Sequence, residues 1–168
     1  MSLSTYQMSV ELFVPILTNL RSILAKAATQ AEARKLDAEV LERSRLAPDM
    51  FPLSRQVLLA ADFAKNSAAR LAGVEPPRFD DTEVQFADLI TRVDRTLDYL
   101  KTLTPAQFEG AETRHIKVPL RTRTLEMDGL PFLQKWVLPN FYFHVTTAYA
   151  ILRHHGVEVG KQDFLGGV

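Results

Sequence analysis

The fold is decided by residues 138–156, which read LPNFYFHVTTAYAILRHHG. In this stretch and the residue before it, the side chains that face one side of a helix recur every three and four positions. This spacing is typical of a helix seam. The seam is made of Val137, Phe141, His144, Ala148 and Ile151. Asn140 lies one turn before His144, so the two side chains share a face. The pattern therefore predicts one long helix that carries a histidine and an amide on its buried face.

Two earlier segments show the same helical spacing. The first covers about residues 4–28 and continues through Pro15, where we expect a bend. A capping pattern that starts at Thr29 predicts a fresh short helix after it. The second covers residues 52–73, which begin with a proline and end with a glycine, the residues favoured at these two helix ends. Gln56 lies in its seam, where an apolar residue would be expected.

A third helical segment and a hairpin complete the predicted fold. Thr82 and Gln85 have the spacing of a capping box, and apolar residues follow in steps of four and three up to Leu100. Residues 114–127 alternate between apolar and polar side chains instead, which predicts a small β-hairpin. We therefore predict an all-α fold, a four-helix bundle with a small β-hairpin insertion before the last helix. It forms a single domain over residues 1–168.

The composition excludes several classes of function. Lys plus Arg and Asp plus Glu number 20 each, so the chain has no overall field that attracts nucleic acid or an anionic membrane. With no cysteine, the chain has neither disulfides nor thiolate chemistry, which suits the cytoplasm. The N-terminus is polar, and no run of about 20 apolar residues could span a bilayer. We expect a cytoplasmic protein without a nucleic-acid or membrane partner.

The polar residues in the predicted seams form the candidate site. A buried histidine on a helix is either a core residue that hydrogen-bonds to its neighbours or a metal ligand. Imidazole suits zinc or nickel, but amide oxygens are weak ligands for these ions. We therefore expect His144 to be neutral and hydrogen-bonded to Asn140, Gln56 or a buried water, without a tightly held transition metal. The candidate ligand-binding residues are Gln56, Asn140, His144 and Thr147, and His144 is also the candidate metal ligand.

Several short motifs occur together in this chain. They are LPNFYFH at 138–144, TTAYAILRH at 146–154, GKQDFLG at 160–166, LAKA at 24–27 and LAPDMFP at 46–52. With these motifs, nearly the whole chain resembles an uncharacterised bacterial family of domains of unknown function within the DinB/YfiT-like superfamily. The resemblance implies a DinB-like bundle in up-down-down-up order, often dimeric.

The resemblance also implies a ligand set. Catalytically competent relatives bind a divalent metal through three histidines, one on the second helix and an H-x-x-x-H pair on the fourth. Some of these relatives are metal-dependent hydrolases or thiol transferases. Aligned with them at the end of the last helix, Asn140 and His144 take the positions of the pair, and Gln56 takes that of the remaining histidine. The resemblance therefore implies a degenerate metal pocket with one imidazole and two amides.

Two functions remain open at this point. In the first, the degenerate pocket binds a small polar ligand or serves a non-catalytic role. In the alternative, the chain is a divalent-metal-dependent enzyme of the hydrolase or thiol-transferase type, which recruits zinc or nickel to the Gln56/Asn140/His144 pocket. We also expect a homodimer, because relatives pair through bundle faces and the last helix has more aromatic residues than one seam can bury.

Overall fold

A computed structural model describes residues 3–82 and 84–167. The chain is mostly helical and carries a two-stranded antiparallel sheet. Its α-helices are α1 (Val10–Ala33), α2 (Ala38–Arg43), α3 (Leu53–Ala72), α4 (Phe86–Thr102), α5 (Gly129–Phe132), α6 (Leu138–His154) and α7 (Lys161–Leu165). The strands are β1 (His115–Pro119) and β2 (Thr124–Asp128), while a 3₁₀ turn covers Pro105–Phe108 and a π-helical segment covers Leu133–Val137. Within the described residues, no helix has the length and apolarity that crossing a bilayer requires.

The helix α1 begins and ends later in the chain than the predicted 4–28, since it starts at Val10. It passes through Pro15, as expected, and continues through Thr29 to its end at Ala33. The prediction of a fresh short helix at Thr29 is therefore wrong. Core positions recur at helical spacing on both sides of Thr29, at Ala27 and Ala31, and their burial outweighs the local capping pattern.

The helix α3 confirms both of its predicted ends. Pro52 is the residue before the first helical turn, and Gly73 follows the last turn with a left-handed φ of 73°. A left-handed φ is costly for a residue with a Cβ atom, which is why a glycine ends the helix here. Between these ends, Gln56 is buried as the seam predicts.

The start of α4 differs from the prediction. Gln85 is itself the residue before the first turn, and no side-chain hydrogen bond in the described chain caps the helix from this position. Instead, the backbone N–H of Phe86 donates to Oε1 of Glu42 at 2.7 Å. Glu42 is buried, and burial raises the pKa of its carboxyl although this hydrogen bond opposes the shift. A carboxyl group from α2 thus takes the place of the predicted capping box at Thr82.

The predicted hairpin is confirmed, and a continuous helical stretch that ends in α6 follows it. The strand β1 pairs antiparallel with β2, so that Ile116 lies opposite Met127 and Pro119 opposite Thr124. The helix α5, the π-helical segment and α6 then follow one another without a gap. Pro139 stands in the first turn of α6, directly after the π-helical segment, and it lacks the N–H that a continuous helix would use there.

The long helices share an apolar core. The helix α3 contacts both α6 and α4, and α1 contacts α4. Phe13 of α1 meets Phe141 of α6 with ring centroids 4.8 Å apart. The short helix α7 packs back onto α1, where the Asn19 amide donates to the Phe164 carbonyl at 3.0 Å. This packing places the first turns of α3 against the middle of α6, where the candidate site lies.

Candidate functional site

The contact between α3 and α6 at the site is made by Gln56 and His144. Gln56 stands near the start of α3 and His144 in the middle of α6, and their exposed fractions are 1% and 7%. Nδ1 of His144 lies 2.7 Å from Oε1 of Gln56. The two seams face each other, so the polar residue in one meets the polar residue in the other. Of the partners predicted for His144, the structure selects Gln56.

The hydrogen bonds of Gln56 determine which nitrogen of His144 carries the proton. Nε2 of Gln56 donates to the backbone carbonyl of Phe51 at 3.1 Å, so the amide oxygen faces the imidazole. An amide oxygen can only accept, and Nδ1 of His144 must therefore donate. Nε2 of His144 keeps its lone pair, which no hydrogen bond within the described residues engages.

The surroundings hold His144 in its neutral form. Burial, helped by the positive charge of Arg55, lowers the pKa of His144 to about 4. Phe63 stacks on the imidazole with ring centroids 5.6 Å apart, and Phe143 meets its edge at 5.4 Å. A neutral imidazole can accept a hydrogen bond at Nε2, but with this pKa it is a weak base near pH 7.

Asn140 and Thr147 do not join this pair. Nδ2 of Asn140 donates to the Trp136 carbonyl at 2.7 Å, and Oγ1 of Thr147 donates to the Phe143 carbonyl at the same distance. Each of these carbonyls lies four residues back along the same helical stretch. Asn140 follows the π-helical segment, where the change of helical pitch alters the pairing of backbone carbonyls. Both side chains therefore satisfy their own helix instead of reaching across to α3.

Phe63 is part of the site, although sequence reasoning did not select it. It lies seven residues after Gln56 in the same seam of α3, so the heptad spacing was a signal that it faces α6. The carbonyl of Phe51 had no such signal, because every residue supplies a backbone carbonyl.

The residues around His144 do not fit a zinc or nickel site. The pair offers one imidazole nitrogen, and the oxygen of Gln56 already accepts a hydrogen bond from that same ring. Amide oxygens also bring no charge to offset the desolvation of a metal ion. Among residues 3–82 and 84–167, no group of three or more His, Cys, Asp or Glu side chains is placed to hold a metal.

A cavity of about 260 Å³ borders Phe63, the ring that stacks on His144. Its walls come from α3, the end of the hairpin strand β1 and the segment before α6. The apolar side chains that line it include Leu59, Phe63, Val118, Leu120, Phe132 and Trp136. The rings of Phe63 and Trp136 lie 6.2 Å apart. Phe63 therefore contacts the buried pair and also forms a wall of the open space.

Polar side chains along one face of α3 also line the cavity. Asp62, Asn66 and Arg70 follow one another at intervals of four residues. The carboxylate of Asp62 accepts from Arg92 at 2.8 Å and pairs with Lys65 at 3.2 Å. Nη1 of Arg70 donates to the backbone carbonyl of Asn66 at 3.1 Å, and burial lowers the pKa of its guanidinium. The cavity thus combines aromatic walls with a line of polar groups.

Comparisons with known proteins match nearly the whole chain. A family model described as a domain of unknown function (DUF1993) matches residues 5–165. The crystal structure of a DinB family member protein from Shewanella denitrificans is 43% identical to this chain. That match covers 97% of this chain and 92% of the other, with a TM-score of 0.88. A comparison with curated proteins gives no match.

Proposed function

This chain belongs to the DUF1993 family of domains of unknown function, and we propose that it is a non-catalytic protein that binds a small molecule. The proposal places the ligand in the cavity bordered by Phe63 and Trp136. The observation that carries it is the combination of about 260 Å³ of space, aromatic walls and a few polar groups. Small-molecule sites in proteins are usually preformed apolar pockets with a small number of polar groups of this kind.

In this proposal, the buried pair supports the site and does not react with the ligand. His144 is engaged at Nδ1 by Gln56, and its ring packs against Phe63, which lines the cavity. A general base works best when its pKa lies near the working pH, and the pKa of His144 is about 4. Both observations favour a binding role over a catalytic one.

We also infer that the architecture is a DinB-like up-down-down-up four-helix bundle. The long helices α1, α3, α4 and α6 and the 43% identity to a DinB family member support this inference. In such a bundle, Gln56 and His144 would occupy two of the three positions that hold metal in competent relatives, as a degenerate metal pocket.

Elemental analysis tests the metal-dependent alternative. After dialysis against a weak chelator, we expect the purified protein to carry far less than one zinc or nickel ion per chain, because the donor set lacks charge. Stoichiometric zinc or nickel would overturn the non-catalytic proposal and favour a metal-dependent hydrolase or thiol transferase.

Chemical-shift mapping tests the location of the ligand. Indole, a neutral flat probe, is titrated into isotopically labelled protein, and we expect saturable shifts at Phe63, Phe132 and Trp136, which line the cavity. Leu59→Trp fills the cavity and should abolish these shifts. Leu3→Trp, at an exposed position outside the cavity, is the matched control and should leave them unchanged. Shifts that are absent, or that persist in the filled variant, would overturn the proposal.

We further propose that the chain forms a homodimer through the outer face of α6. Phe143 is 54% exposed and lies with Leu46 and Tyr142 in a shallow depression lined by uncharged residues. A partner covers an exposed apolar patch of this kind, and a twofold axis pairs the same patch on both subunits. Light scattering at micromolar concentration should return twice the chain mass of 18.9 kDa, and Phe143→Asp should return the monomer. A wild-type mass of 18.9 kDa would contradict the dimer.

A further inference from the structure

Several hydrogen-bond donors at the cavity have no acceptor among the residues that the structure describes. In the described part of the chain, Arg70 forms no ion pair, and its side chain donates to the backbone carbonyl of Asn66. The indole N–H of Trp136 and the side-chain amide of Asn66 also have no hydrogen-bond partner among these residues. Guanidinium and indole groups can only donate. The donors without a protein acceptor around this cavity therefore favour a ligand that carries hydrogen-bond acceptors.

The carboxylate that lines the same cavity does not neutralise Arg70. Asp62 is engaged by Arg92 at 2.8 Å and by Lys65 at 3.2 Å, and both of these cations are buried. Two cations share its charge, so Asp62 repels an incoming anion only weakly. Glu75 attracts Arg70 from a distance without forming an ion pair with it. The charge at this end of α3 is therefore complementary to an anionic ligand.

We propose that the cavity binds a small amphipathic monocarboxylate, whose carboxylate pairs with Arg70 and whose apolar part packs against Trp136. This inference rests on the proposed function and names the ligand class of the same site. A half-buried guanidinium without an ion pair has lost part of its hydration and gained no charged partner. A carboxylate matches its planar geometry and accepts two parallel hydrogen bonds from it.

The size and the walls of the cavity limit what the rest of the ligand can be. A volume of about 260 Å³ lies just below the range of roughly 300–1,000 Å³ that is usual for ligand pockets. The ligand must therefore be small, with about one ring or a short aliphatic chain. Phe63, Phe132 and Trp136 offer aromatic surface that a bare inorganic anion would leave uncovered. An acid with an apolar body satisfies both the guanidinium and these walls.

The chain contains a direct reporter for this site. Trp136 is its single tryptophan and lines the cavity, so its fluorescence responds to occupancy. Phenylacetate has both the charge and the ring, phenylacetamide keeps the shape without the charge, and acetate keeps the charge without the ring. We expect a saturable change with phenylacetate, and binding weaker by about tenfold or more for the other two probes. Equal affinities for phenylacetate and acetate would contradict the apolar part of the assignment.

Two arginine variants isolate the role of Arg70. Arg70→Gln removes the cation and keeps a polar side chain, so phenylacetate should bind about tenfold or more weakly while phenylacetamide changes little. Arg121→Gln is the matched control, because Arg121 is exposed beside the same hairpin and does not line the cavity. Circular dichroism and thermal melting establish that both variants are folded. An equal loss of phenylacetate affinity in both variants would assign the effect to net charge and overturn the proposal.

The same titrations separate this inference from the proposed function. Equal affinities for phenylacetate and phenylacetamide would mean that the cavity binds ligands but that the carboxylate class is wrong. If neither probe changes the fluorescence of Trp136, and indole causes no shifts at the cavity, both proposals are wrong. A preference for phenylacetate that depends on Arg70 and not on Arg121 supports both.

Discussion

The two ends of α3 use their polar residues in opposite ways. Near the start of the helix, both groups of the Gln56 amide are engaged, the nitrogen by the Phe51 carbonyl and the oxygen by His144. Near its end, Asn66 and Arg70 border open space and keep donors that no described residue accepts. A polar residue in a helix seam is therefore not in itself a ligand site. Gln56 has an internal partner, whereas the partners of the cavity donors must come from outside.

This difference separates stability from binding. A buried polar group left without a partner costs about 1–3 kcal/mol, so Gln56 and His144 make each other's burial possible. Water can hydrate a group that borders a cavity, and its penalty is smaller. Changes to the pair should therefore alter the free energy of unfolding, and changes at the cavity should mainly alter ligand affinity.

The largest effect is expected when the Gln56–His144 pair is converted into a metal site. Gln56→His combined with Asn140→His would join His144 in the three-imidazole set that zinc prefers. At free zinc of about 100–1,000 times Kd, zinc should stabilise the double variant by about 3–4 kcal/mol in urea unfolding. The wild type and each single variant are the controls and should gain much less. A double variant without zinc-dependent stabilisation would contradict the assignment of these positions.

The next largest effect concerns pH. Burial lowers the pKa of His144 from its ordinary 6.5 to about 4, so the unfolded chain binds a proton that the folded chain does not. This stability is fully present above pH 6.5 and is lost as pH falls towards 4. At about 1.4 kcal/mol per pKa unit, unfolding in urea should show a loss of about 2–3 kcal/mol between about pH 6.5 and 4.5. The His144→Phe variant should lose much less unfolding free energy than the wild type over this pH range. Equal losses in the two proteins would contradict the lowered pKa of His144.

A pair of substitutions on α3 compares the two ends directly. Gln56→Leu should destabilise the fold by about 1–3 kcal/mol, because it leaves the Nδ1–H of His144 buried without an acceptor. Asn66→Leu, on the same helix at the cavity, should change the free energy of unfolding by no more than about 0.5 kcal/mol. Urea unfolding of both variants measures the difference. Similar losses of unfolding free energy in the two variants would contradict the difference between the two ends of α3.

The smallest effect is expected at Asn140. Asn140→Ala removes the hydrogen bond to the Trp136 carbonyl next to the π-helical segment and should cost about 0.5–1.5 kcal/mol in thermal or urea unfolding. Thr147→Val is the control, because a hydroxyl that bonds back within a regular helix contributes little. A loss at Asn140 as large as that of Gln56→Leu would mean that Asn140 belongs to the buried pair.

Much of the local structure was predictable because it depends on the periodicity of one segment. The bounds of α3 and the hairpin follow from apolar spacing, a proline and a glycine, and the structure confirms them. The end of α1 and the start of α4 were missed for the same physical reason. Burial of Ala31 extends α1, and Glu42 from another helix caps α4. Neither the burial nor the cap can be inferred from the neighbouring residues alone.

By itself, the sequence determined most of the helical segments, the family and the positions of Gln56 and His144 in two helix seams, whereas the structure selected Gln56 as the partner of His144. Each feature that the sequence determined depends on residue type at a fixed spacing in a seam. Only the tertiary structure decided that Asn140 and Thr147 bond within their own helix and that a cavity adjoins the pair. A hydrogen bond depends on distances of a few tenths of an ångström, and a cavity depends on where packing between distant segments falls short. Neither quantity is encoded in the spacing of residues along one helix.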